Sequence, residues 1–140
     1  MSRILAREYC FKLVFEYQFL TQKDDAYLTE IFEDDKLTDE DKKYITESYQ
    51  EILNHESEIN DLIRNNLKDY TLERLYKIDL AILKVAVYEL KFSGENLPNS
   101  VIIDSAVELA KKYSTDNSYK FINGILASIT RGEDGSKATN

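Results

Sequence analysis

Apolar residues recur at three- and four-residue spacing along most of this chain, which is the signature of amphipathic helices. Ala6, Cys10, Phe11, Leu13, Val14, Tyr17 and Leu20 share one face, predicting a first helix capped by Ser2 and running to about Leu20. Glu8, Lys12 and Glu16 fall on the opposite face. A short second helix is expected from Asp24 to about Asp34, offering Leu28, Ile31 and Phe32. Thr38 followed three residues later by Asp41 is a capping-box pattern and opens a third helix. Its apolar positions continue through Ile45, Tyr49, Ile52, Leu53, Ile59, Leu62 and Ile63, with a candidate break near His55 to Ser57. Thr71 is the expected cap of the next element, in which nearly every face is apolar from Leu80 to Phe92; a helix of that kind is packed on several sides. Gly94 suits its C-terminal stop, and Pro98 suits the start of another helix running to Tyr113. A last helix presents Phe121, Ile122, Ile125, Leu126 and Ile129, and the polar "RGEDGSKATN" reads as a frayed tail. No strand alternation, repeat or linker interrupts this pattern. The prediction is an all-α domain of six or seven helices over residues 1–131, with a flexible tail over 132–140.

Composition agrees with that reading. In 140 residues with 43% hydrophobic side chains there are only four Gly and one Pro, too few punctuators for a turn-rich β fold. No stretch reaches the roughly 18 apolar residues of a membrane helix; the nearest, "LAILKVAVYEL", is broken by Lys84 and Glu89. A lone Cys and no signal-peptide pattern point to a reducing, cytoplasmic home.

Charge changes the picture more. The formal net charge is −8, which taken whole opposes nucleic acid. The excess acid is confined, however: residues 24–66 carry −10, residues 1–23 carry +2, and the rest is neutral. The ends of the chain are therefore free to meet an anion. Arg3 and Arg7 lie on the same side of the first helix as Cys10 and Val14. Two readings stand: the arginines cap a neighbour's carbonyls, or the stripe runs beyond the core and shows a basic face.

Catalytic chemistry is hard to find. There is no Gly-rich phosphate loop and no His/Cys cluster at metal spacing. Cys10 looks buried and His55 looks exposed, so they do not make a nucleophile–base pair. Asp39, Glu40 and Asp41 fit a helix first turn better than a metal site. The expectation is a protein with no catalytic residue, no metal and no cofactor.

One turn stands out. In "VELAKKYSTDNSYKFINGIL", residues Ser114, Thr115, Asp116 and Asn117 are all cap formers, and capping alone explains them. The flanking Tyr113, Lys120 and Phe121 also suit single-stranded RNA, where bases stack on aromatics, amides read base edges and cations meet phosphate. Asn117, Phe121 and Gly124 form one edge of the last helix. Gly124, costly by about 1 kcal/mol in a helix interior, suggests a close approach by another backbone.

Three blocks, "AREYCFKLVF" at 6–15, "ERLYKIDLAILKVAVYEL" at 73–90 and "VIIDSAVELAKKYSTDNSYKFINGIL" at 101–126, resemble the NusB family of bacterial transcription antitermination factors, over about residues 3–130. The resemblance implies two small helical bundles packed together and a non-enzymatic RNA-binding protein. It implies NusE, a small-subunit ribosomal protein, as partner, boxA RNA of ribosomal RNA leaders as ligand, and an antitermination complex on RNA polymerase as destination. It places the family's basic patch on Arg3 and Arg7, its RNA-facing aromatics on Phe15, Tyr70, Tyr113 and Phe121, and its polar turn position on Asn117, commonly Asp in relatives. Lys120 stands beside Phe121 as in the family motif, and Asp79 matches an acidic position that faces NusE. Self-association through the same face is compatible with the sequence. Ile4 and Leu5 interrupt the arginine run that many relatives carry, so a scaffold of the same fold with little RNA affinity is the competing expectation.

Overall fold

The computed structural model describes residues 2–69 and 71–139, with side chains over 3–69 and 71–132. Seven α-helices are found among them: α1 (Ser2–Tyr17), α2 (Asp25–Ile31), α3 (Asp39–Asn54), α4 (Glu56–Arg64), α5 (Lys77–Lys91), α6 (Asn99–Tyr113) and α7 (Ser118–Thr139). Apart from Gly132, the side chains of the expected tail, 132–140, lie outside the described residues.

Local chemistry sets the boundaries. Asp24 caps α2 by accepting from the Tyr27 N–H. At α3 the capping box closes as expected: Thr38 Oγ1 accepts from the Asp41 N–H at 3.0 Å and Asp41 returns the bond to the Thr38 N–H at 2.9 Å. The break between α3 and α4 falls on His55, which ends one helix and begins the next. His55 is not the freely exposed residue the sequence suggests. Its ring stacks on Phe92 with centroids 4.5 Å apart, and it sits between Glu51 and Glu58. Gly94, at φ +74°, adopts the left-handed conformation that stops α5.

Thr71 does not start the central helix. It precedes a single 3₁₀ turn, Leu72–Arg74, after which Leu75 and Tyr76 are extended and α5 begins only at Lys77. Leu72 and Leu75 both turn into the core, while Arg74 and Tyr76 stay exposed.

The expected central role of α5 is realised. It packs against α1, α3, α4, α6 and α7, with α1, α2 and α3 grouped on one side and α4, α6 and α7 on the other. Every residue from Asp79 to Glu89 is buried. Three of these are charged, five residues apart, and so they point in different directions around the helix. Each meets a different neighbour. Asp79 accepts hydroxyl bonds from Ser114 and Ser118 at the α6–α7 turn. Lys84 reaches Glu56 at the start of α4, 3.1 Å away. Glu89 holds Arg7 of α1. A hydrophobic helix can slide or rotate against its neighbours at little cost; three buried polar pins on three sides remove that freedom.

Gly124 lies on the exposed side of α7, and a Cβ built there meets nothing within 4 Å. No backbone of the described chain approaches it, contrary to the expectation from sequence. Gly124→Ala should therefore raise unfolding stability by about 0.4–1 kcal/mol, measured by urea denaturation, because only the conformational cost of Gly is removed.

Candidate nucleic-acid interface

The two arginines expected to face phosphate are both paired with carboxylates of the chain, Arg7 in the interior and Arg3 at the surface. Arg7 is only 5% exposed. Its Nε donates to both carboxylate oxygens of Glu89, at 2.8 and 3.0 Å, and Nη1 reaches Ser105 Oγ at 3.4 Å. Burial alone would lower its pKa, but Glu89 outweighs that and raises it. Arg3 pairs with Glu95 at 2.6 Å and lies over the Tyr44 ring, 4.0 Å from its centroid. The stripe turns basic because α1 needs two cations to meet α5 and the loop after it. Neither of the two readings left open by spacing describes this: the acceptors are carboxylates, not carbonyls, and Arg7 shows no basic face to solvent.

The polar face of α1 is also not a plain solvent face. The C-terminal end of α6 docks on it. Glu8 accepts from Lys112 Nζ at 2.6 Å and from the Tyr113 hydroxyl. Burial pushes the Glu8 carboxyl up, yet these two bonds more than compensate and hold it below its ordinary range. Lys12 lies 5.5 Å from the Tyr9 ring and 5.8 Å from the Tyr113 ring, and Lys112 lies 5.3 Å from the latter.

From Tyr113 an aromatic series runs along α1. The Tyr113 and Phe11 centroids are 5.2 Å apart, Phe11 and Phe15 6.3 Å, and Phe15 and Phe19 5.3 Å with rings edge to face. Phe15 and Tyr113 are half-buried, whereas Phe19 is 61% exposed. Beyond Phe19, Gln18 Nε2 donates to the Lys77 carbonyl at 2.9 Å and ties the end of α1 to the start of α5.

The α6–α7 turn lies beside this junction. Asp79 Oδ1 accepts from Ser114 Oγ at 2.5 Å and Oδ2 from Ser118 Oγ at 3.0 Å; Ser118 Oγ also meets Ser114 Oγ at 2.9 Å and Thr115 Oγ1 at 2.7 Å. The cap residues thus close on a carboxylate of another helix rather than on their own backbone alone. Asp79 is 3% exposed and fully engaged, which makes it the anchor of the turn rather than a surface acid. Asn117 stays exposed just before α7, its carbonyl accepting from the Lys120 and Phe121 N–H groups. Phe121 is half-buried and lines, with Asn117, Thr115, Tyr76 and Arg74, an open cleft of about 340 Å³ floored by Asp79 and Ser118. Lys120 is exposed and flanks Tyr119 at 5.9 Å, with Lys111 on the same ring at 5.1 Å. Tyr70 lies outside the described residues.

The structure therefore brings Phe15 and Tyr113 into one aromatic series and Asn117 and Phe121 into one cleft, with Asp79 linking the cleft to the end of α6. Arg3 and Arg7 line neither, although Arg7 borders a second open cleft with Glu8, Lys111 and Lys112. Lys12, Lys111, Lys112, Phe19, Arg74 and Tyr76 were not singled out from sequence. The adjacent Lys111 and Lys112 were a usable signal of cations near the turn; Lys112 lies beside the Tyr113 ring and Lys111 beside that of Tyr119. Among the described residues no three His, Cys, Asp or Glu side chains are grouped to hold a metal, and no helix is long and apolar enough to cross a membrane. Cys10 is fully buried and its thiol is pushed far up by burial, which makes it inert as a nucleophile.

The NusB family pattern matches residues 4–131. The transcription antitermination protein NusB of Finegoldia magna is 36% identical over 134 residues, covering 96% of this chain and 97% of the relative. The solved structure of T. maritima NusB superposes with a TM-score of 0.83 at 36% identity, covering 92% of this chain and 90% of that one. A chain from a crystal structure of antitermination factors NusB and NusE in complex with dsRNA has a TM-score of 0.83 at 23% identity, covering 94% and 97%, and so shares the fold. With the family matched over nearly its whole length and a relative aligned end to end, this chain belongs to the NusB family.

Proposed function

We propose that this chain is a non-catalytic, cytoplasmic RNA-binding transcription antitermination factor that acts with NusE, binds boxA RNA of ribosomal RNA leaders and helps assemble an antitermination complex on RNA polymerase. Family membership supports the class of activity. The observation that carries RNA binding in this chain is that rings and cations flank both ends of the α6–α7 turn, Lys12, Lys112 and Tyr113 at one and Asn117, Lys120 and Phe121 at the other, on helices packed against α5. Such a surface recognises single-stranded RNA by stacking and backbone attraction. The mechanism is positioning: RNA is held in one orientation for the next protein to join.

A second reading has its own support. Glu89 and Glu95 neutralise Arg7 and Arg3, which removes two phosphate contacts and favours a protein scaffold of the same fold with weak RNA affinity. Fluorescence anisotropy of a labelled boxA-like RNA, over a series of salt concentrations and with and without NusE, separates the two. Selective, salt-dependent binding is expected. Absence of selective binding with NusE still bound would establish the scaffold. Phe121→Ala is expected to weaken RNA binding by about 1–3 kcal/mol, the worth of one stacked base. A fall in melting temperature with RNA affinity unchanged would show that the ring serves packing alone.

A further inference from the structure

We infer that Glu95 is an intramolecular competitor for phosphate: it occupies Arg3 in the free protein, and an RNA backbone reaches that end of α1 only by displacing it. This rests on the RNA-binding reading above and adds an autoinhibitory contact to it. Arg3 Nη1 donates to Glu95 Oε1 at 2.6 Å, across 92 positions of sequence. A guanidinium presents the same fork of N–H donors to a carboxylate and to a phosphate. The two anions therefore compete for one place.

The two arginines of α1 differ in whether their partner can leave. Arg7 and Glu89 are both buried, so parting them strands a charge in the core. The side chains of Arg3 and Glu95 are 23% and 40% exposed, so water receives the carboxylate when it lets go. Arg3 is the member that stays. It projects from α1, and its guanidinium lies 4.0 Å from the centre of the Tyr44 ring, a contact that does not depend on Glu95. Glu95 is the member that turns away, because it stands between α5 and α6 and belongs to neither. Its backbone is nevertheless aimed. Gly94, at φ +74°, turns the chain after α5. Ser93 Oγ donates to the Glu89 carbonyl at 3.1 Å and accepts from the Glu95 N–H at 3.2 Å. The turn thus sets the carboxylate against Arg3 while leaving the side chain as the one part that has to move.

An exposed ion pair is weak, and a displaceable occupant has to be. The pair adds little to the fold, but it lowers affinity for any phosphate that needs Arg3. Salt loosens this pair as well as the RNA complex. In the wild type the first effect offsets part of the second, and without Glu95 the offset is gone.

The test is an anisotropy titration of the full chain with a labelled single-stranded boxA-like RNA over a series of salt concentrations. It compares wild type, Glu95→Gln, Arg3→Met and the double variant. Glu33→Gln, which removes an exposed carboxylate just after α2, controls for net charge. Methionine keeps an aliphatic stem over Tyr44, and melting curves should show every variant folded at the assay temperature. Glu95→Gln should bind about 1.5- to 5-fold more tightly, with the plot of log K against log salt steeper by up to about 0.7, one phosphate's share on a single strand. The double variant should bind as Arg3→Met does, because Glu95 acts through Arg3. A gain no larger than that of Glu33→Gln, or one that persists beside Arg3→Met, would overturn the competition and leave the proposed function standing. Absence of RNA binding by every variant, alone and with NusE, would overturn the proposed function and this inference with it.

Discussion

Arg7→Ala is expected to destabilise the protein by about 3–5 kcal/mol, seen as a lower urea midpoint with an unchanged slope. The reason is the partner left behind. Glu89 is buried in α5, its side chain 2% exposed, and it pairs with the Arg7 guanidinium at 2.8 Å. Removing the guanidinium leaves an anion in the core between α1 and α5. Glu89→Ala is expected to cost a similar amount for the mirror reason. The double variant Arg7→Met, Glu89→Leu should recover most of the loss, since replacing both charges by apolar groups of similar size is near neutral. The double variant also tests the expectation that Arg7 meets phosphate. With the fold restored, an unchanged salt slope for RNA binding means that Arg7 never touched the RNA; a slope flatter by about 0.7 means that it opens to do so.

Arg7 also shows where sequence reading stops. Its position on the apolar stripe of α1 was legible, and the stripe is indeed core. What was not legible is that a carboxylate 82 residues away on α5 faces it. Periodicity reports which face of a helix is inward, not which neighbour supplies the counter-charge. The same limit applies to Glu8: its place on the polar face of α1 was correct, but the docking of Tyr113 and Lys112 on that face depends on how α6 crosses α1. Helix existence and most caps were legible because Thr38, Asp24, Gly94 and Pro98 act within a few residues of themselves. Thr71 misled because a cap residue precedes a single 3₁₀ turn as readily as a long helix, and nothing local marks the extended Leu75 and Tyr76 that delay α5 to Lys77. The candidate site divides in the same way. Asn117, Lys120 and Phe121 follow from one turn and its helix, and they are found together. Arg74 and Tyr76 arrive from a segment about 40 residues earlier, and only the fold brings them to the cleft.

Asp79→Ala is expected to have the second-largest effect, a loss of about 2–4 kcal/mol, because it removes two hydroxyl bonds to a buried charged acceptor. The expected damage is localised. Ser114 and Ser118 keep each other, at 2.9 Å, and Ser118 keeps Thr115, so the helices persist while the turn loses its tie to α5. Asp79→Asn should lose about half as much, since its carbonyl oxygen still accepts from one serine and its amide can donate to the other once that hydroxyl turns, but the charge that strengthened both bonds is gone. A double-mutant cycle of Asp79→Ala with Ser114→Ala should show a coupling of about 0.5–3 kcal/mol, as expected for groups in one hydrogen-bond network. Additive losses would mean that the turn is held by its own caps. The cycle bears on function because Asn117 and Phe121 leave directly from that turn. If Asp79 positions them, Asp79→Asn lowers RNA affinity in protein that is still fully folded at the temperature of the assay, with its salt slope unchanged because no phosphate contact is lost. If Asp79 instead faces NusE, the same substitution lowers affinity for NusE and leaves RNA binding by the chain alone as it was. A carboxylate 3% exposed, with its oxygens bonded to Ser114 and Ser118, is suited to the first role: from the floor of the cleft it fixes the turn from which Asn117 and Phe121 leave.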